Sequence, residues 1–210
     1  MIGWPMKLSS STVKKLTFLF SWHYGIFLVV FMISVTASVY GLRQNNLTMI
    51  SLREQVYSTD KNGGDVNAAL NDLRTYVYGH MNTNLSSGGN AIKPPIQLKY
   101  TYERLVVTER TRIEKINAQI YTDAQAYCEQ QNPASFSGRS RVPCIEDYVS
   151  RNGIKEQPIP DALYKFDFVS PGWSSDLAGW SLIVSFLSAL ASLATLIFDR
   201  WVRANLSNIS

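Results

Sequence analysis

The chain has 210 residues, 46% of them hydrophobic, with a formal net charge of +4 and an isoelectric point near 9.0. The segment 43–176 carries 15 basic and 15 acidic residues, so the excess positive charge lies entirely in the two tails. This distribution argues against the basic surface of a nucleic-acid-binding protein, and no nucleic-acid partner is expected.

Two long stretches without Asp, Glu, Lys or Arg predict transmembrane helices at residues 16–42 and 177–198. Each supplies the roughly 20 apolar residues that are needed to cross about 30 Å of hydrocarbon. Aromatic residues at headgroup depth flank both stretches: Trp22, Tyr24 and Trp201 at one face, and Tyr40, Trp173 and Trp180 at the other. A cleaved signal peptide is the alternative for the first stretch, but its apolar region exceeds the roughly 7–15 residues of such peptides, so an uncleaved anchor is expected.

Basic residues near the spans predict the orientation of the chain. They are Lys7, Lys14, Lys15, Arg200 and Arg203. Because cytoplasmic flanks carry an excess of Lys and Arg, we expect the tails 1–15 and 199–210 in the cytoplasm and the segment 43–176 outside it. The predicted location is the cell membrane, with the lipid bilayer as the first partner.

The outer segment 43–176 is predicted to be a mainly α, antiparallel helical domain. Apolar residues at helical spacing predict three helices: 43–58 as a continuation of the first span, with Leu47, Ile50 and Val56 on its stripe, then 65–85 and 97–131. Prolines exclude a long helix after residue 132, although 144–151 is compatible with a short one. The alternating residues 162–169 predict a short strand or an extended strip packed on the helices.

The only two cysteines, Cys128 and Cys144, both fall in the outer segment. In an oxidising compartment they are expected to form a disulfide that closes the irregular, membrane-distal region, and two unpaired thiols are the alternative. A zinc site is disfavoured because no histidine lies near them to complete the coordination.

The order of span, helices and span is similar to that of four-helix extracytoplasmic sensor domains, such as those of bacterial chemoreceptors. The resemblance is one of architecture and covers no motif. Those receptors continue into a large cytoplasmic signalling region, whereas about twelve residues follow the second span here. We therefore expect no signalling output from this chain alone.

Small residues recur at spacings of three and four along the second span. They are Ala178, Ser181, Ser185, Ser188, Ser192 and Thr195. In lipid, small side chains let helices approach closely, so this seam predicts a packing face for the first span or for another subunit. Ser34, Ser38 and Gly41 offer a counterpart on the first span, and chance enrichment in a serine-rich chain is the alternative.

No residue constellation predicts catalysis, a cofactor or a metal site. His80 shares a helix stripe with Asp72 and Tyr76, which describes an ordinary polar helix edge better than a ligand set. Glu109 falls on an apolar stripe and is expected to pair with an arginine from another helix, such as Arg74, or to lie at the stripe's edge. The pairs Gly63-Gly64 and Gly88-Gly89 are explained by turns.

Two functions follow as expectations from this architecture. The first is a non-enzymatic, membrane-anchored interaction or assembly module, which meets a protein partner or a second copy of itself through the second span. The second is the ligand-sensing domain of a transmembrane signalling complex that lacks its own cytoplasmic output domain. A sensor needs a pocket with convergent polar groups between its helices, which distinguishes the two.

Overall fold

The computed structural model describes residues 10–86, 92–131 and 141–207, with side chains between 22 and 204 in those ranges. The predicted Gly88-Gly89 turn and the charged groups of Lys7, Lys14 and Lys15 lie outside that description. The mainly α class is confirmed. The described helices are α1 (Ser10–Asn62), α2 (Val66–Gly79), α3 (Lys99–Gln131), α4 (Arg141–Asn152) and α5 (Leu177–Ser207).

The chain forms two compact units. The first, called the span unit, consists of Met1–Gln55, Ala68–Leu85 and Phe168–Ser210. The second, called the disulfide unit, consists of Val56–Asn67 and Ser86–Asp167. Helices α1 and α2 contribute residues to both.

In the span unit, α1 and α5 are each long and apolar enough to cross a membrane. Their most apolar windows reach mean hydropathies of 2.1 and 2.2. Helix α1 also continues beyond Leu42 without a break, as predicted. The predicted stripe on this continuation is partly wrong: Leu47 is 48% exposed, whereas Asn45 and Met49 are buried. The buried face of the span, with Ser34, Ser38 and Gly41, simply continues at helical spacing.

Helix α2 places Ala69, Leu70, Leu73 and Val77 in the core of the span unit. The prediction that it extends to Leu85 is wrong, because the helix ends at Gly79. The Thr83 hydroxyl donates to the carbonyls of Val77 and His80, at 3.2 and 2.7 Å, and so competes with the helical pattern. Asn82 follows in the left-handed region, with φ of 60°.

In the disulfide unit, α3 and α4 run antiparallel, because Cys128 is joined to Cys144 and Asn117 reaches Ile154. The predicted short helix is longer than expected and covers Arg141–Asn152. Beyond it the chain is extended, and the Asn117 side chain holds it by accepting from the Ile154 amide at 2.9 Å and donating to its carbonyl at 3.1 Å.

A small antiparallel sheet completes the disulfide unit. Strand β1 (Ile96–Gln97) pairs with β2 (Lys165–Phe166), after a 3-10 turn at Asp161–Leu163. The segment 162–169 therefore contains a short strand, which is one of its two predicted alternatives. Pairing of Ile96 and Gln97 also explains why α3 begins at Lys99 rather than at residue 97.

Candidate functional site

The small-residue seam of α5 packs against α1 of the same chain. Ala178, Ser181, Ser185, Ser188 and Ser192 are buried, and Thr195 is half-buried. Gly41 contacts Ala178, and the Ser34 and Ser185 hydroxyl oxygens lie 3.4 Å apart. Seven residues separate these contacts on each helix, so the two helices pair antiparallel in one continuous register. The first span thus packs against the small-residue seam of α5.

The closest approach of the two spans is at Gly41. A β-carbon added there would lie 2.9 Å from the Ala178 nitrogen and 3.1 Å from its β-carbon. Ordinary contacts of a β-carbon begin at 3.4 Å, so no larger residue fits without separating the helices. Such a close approach of two helix backbones is typical of helices that pack through small residues in lipid.

Serine hydroxyls along the interface are satisfied mostly within their own helices. Ser34 donates to the Phe31 carbonyl at 3.0 Å, Ser181 to the Leu177 carbonyl at 2.6 Å, and Ser188 to the Ser185 carbonyl at 3.0 Å. The seam therefore contributes close packing more than interhelical hydrogen bonding.

Over the described side chains, the remaining faces of both spans are apolar and uncovered. Only 17% and 22% of the two most apolar windows are buried within the protein. Met32 and Ile33 on α1 and Phe186 on α5 are 60%, 65% and 65% exposed. Soluble proteins rarely expose contiguous apolar surface of this extent, so these faces fit contact with lipid or with another apolar chain.

A polar cluster, here called the clasp, ties α1, the end of α2 and the start of α5 together. Asn45 on α1 donates from one nitrogen to the Asp176 carboxylate at 2.6 Å and to the Met81 carbonyl at 3.2 Å. The Met81 amide donates to the Ser174 hydroxyl at 3.1 Å. Asp176 also caps α5 by accepting from the Gly179 amide at 2.9 Å.

The clasp stabilises the ionised form of Asp176. Partial burial opposes ionisation, but hydrogen bonds from Gly179, Asn45 and Ser174 outweigh it, and the nearby His80 adds a smaller attraction. The pKa of Asp176 is consequently held below its ordinary value of 3.8. Asp176 is therefore an anionic structural group at neutral pH.

A second polar cluster organises the disulfide unit around Asp60, whose side chain is 2% exposed. Its carboxylate accepts from the amides of Tyr100 and Thr101, at 3.0 and 2.8 Å, and thereby caps the first turn of α3. The Thr101 hydroxyl and the Arg104 guanidinium bind the same carboxylate at 2.6 and 3.0 Å. Asp60 thus joins the end of α1 to the start of α3.

Two ion pairs in the disulfide unit shift the pKa values of their members. Glu109 pairs with Arg112 on its own helix at 2.7 Å, and this hydrogen bond lowers the pKa of Glu109. The suggested partner Arg74 is wrong, since it donates to Asn71 instead.

Asp161 accepts from both Lys165 and Tyr164 at 2.9 Å, which raises the pKa of each donor. These shifts move the acid and the bases away from neutrality.

His80 directly follows the last residue of α2. Its ring stacks on Tyr76 with centroids 4.0 Å apart, and its Nδ1 lies 2.9 Å from the Tyr76 carbonyl oxygen. Within the residues that the structure describes, no group of three metal-binding side chains comes together.

Three of the cavities in the described structure are open clefts or grooves. In the disulfide unit, a cleft of about 370 Å³ lies between α3 and the extended chain, lined by Leu105, Thr108, Glu109, Arg112 and Ile159 among others. In the span unit, two apolar grooves of about 290 and 340 Å³ share Val30 and Val184. The charged groups of the cleft, Glu109 and Arg112, already bind each other.

Sequence reasoning missed three structural residues, Asn45, Asp60 and Asp176. Asp176 had a signal, because an Asp immediately before the charge-free second span is a typical helix cap. Asp60, near the end of α1, had no comparable signal. Its role as a cap for a helix 40 residues later depends on tertiary contacts, which sequence spacing does not reveal.

Comparison with known protein families, curated proteins and solved structures found no match to this chain.

Proposed function

We propose that this chain is a two-span integral membrane protein of the cell membrane, in which α1 and α5 form one tightly packed pair. The observation that carries the proposal is the combination of a close internal seam with uncovered apolar outer faces. From Trp180 to Trp201, α5 rises about 31 Å, which matches the thickness of the hydrocarbon core. Aromatic residues at both ends would then lie at the two headgroup layers.

The proposed topology has both tails in the cytoplasm and residues 43–176 outside it. Its support is the bias of Lys and Arg toward the tails, where the basic residues exceed the acidic ones. The Cys128–Cys144 disulfide agrees with an oxidising compartment for the disulfide unit.

We infer that the protein acts as a non-enzymatic interaction or assembly module. Support comes from the two polar clusters, since the carboxylates of Asp60 and Asp176 are both used to hold helix ends. Because the first span occupies the seam, a protein partner or a second copy would meet other faces of the spans or the disulfide unit. This modifies the expectation that the seam itself receives the partner.

A ligand-sensing role is the second candidate, and the cleft beside α3 is the observation that favours it. The cleft contains Thr108, Glu109, Arg112 and Gln157 as polar groups. However, Glu109 and Arg112 satisfy each other in a bidentate pair at 2.7 and 2.8 Å, so they offer a ligand little unpaired charge. The interaction module is therefore the preferred proposal.

The test compares two double variants of α5 in native membranes. Ser185→Leu with Ser188→Leu adds bulk in the buried seam, whereas Ile183→Phe with Leu190→Phe adds bulk on the uncovered face. The seam variant should lose the packing of α1 on α5, seen as greater sensitivity of the outer segment to protease. The outer-face variant should keep that resistance and lose any partner or second copy recovered by crosslinking. Unchanged recovery from the outer-face variant would overturn a partner on that face.

A further inference from the structure

We draw no further inference here: the strongest candidate, the apolar groove that runs along the two spans past Val30 and Val184, is an unpartnered apolar face, and nothing in the structure shows whether a lipid chain or another helix covers it.

Discussion

The tight contact at Gly41 makes a sharp prediction about the stability of the span pair. Gly41→Ala places a β-carbon 2.9–3.1 Å from three atoms of Ala178, two of them in the backbone of α5. No side chain can rotate away, so the helices must separate by a few tenths of an ångström or more. Overpacking of this kind costs about 1–3 kcal/mol. Alanine's helix preference returns about 1 kcal/mol, so the expected net loss is about 0–2 kcal/mol.

The matched control is Gly25→Ala on the same helix, where an added β-carbon meets no atom within 4 Å. It should be neutral or slightly stabilising. Both changes are made in a background with Ser34→Cys and Ser185→Cys, whose parent hydroxyl oxygens lie 3.4 Å apart. The measurements are the rate of oxidative crosslinking of this pair and the unfolding midpoint in mixed detergent micelles. Equal crosslinking and equal midpoints for the two alanine variants would refute the proposed packing.

Two further predictions concern the polar clusters. Asp176→Ala should lower the unfolding free energy in detergent by about 1–2 kcal/mol, because the cap of α5 and the bond to Asn45 are both lost. Because the folded pKa of Asp176 lies below 3.8, its contribution to the unfolding free energy is complete above about pH 4 and is lost as the pH falls through the folded pKa. Asp176→Asn should therefore remove this acid-sensitive part of the stability. An unaltered dependence of stability on acid pH in that variant would argue against the clasp. Asp60→Ala should destabilise the start of α3 by about 3 kcal/mol, because the amides of Tyr100 and Thr101 lose a buried charged acceptor. Amide hydrogen exchange at these two positions should accelerate strongly in this variant but not in Glu109→Gln, and equal protection in both would count against the role of Asp60.

The long elements of the fold were predictable from sequence because their signals are local. Twenty or more uncharged apolar residues specify a membrane-length helix, and the apolar repeat of residues 97–131 is long enough to average out single exceptions. The seam was also visible, since its spacing of three and four residues is a local property of α5. Its counterpart at Ser34, Ser38 and Gly41 followed from the same reasoning, and the structure buries all three.

The remaining features depend on contacts between distant parts of the sequence. At the early end of α2, the Met81 amide donates to the Ser174 hydroxyl, 93 residues away. The burial of Asn45 in place of Leu47 requires Asp176 and Met81 as hydrogen-bond partners, 131 and 36 residues away. Without knowledge of those partners, a polar side chain on an apolar helix face contradicts the expected hydrophobic periodicity.

The most direct test of the proposed architecture is the accessibility of single introduced cysteines to a membrane-impermeant thiol reagent in intact cells. Ala118→Cys places the probe on the exposed side of α3, and Ser207→Cys places it after the second span. Cys128 and Cys144 are bonded to each other and leave no competing thiol. We expect Ala118→Cys to be labelled in intact cells and Ser207→Cys only after permeabilisation. Labelling of Ser207→Cys from outside, or protection of Ala118→Cys, would contradict the two-span topology.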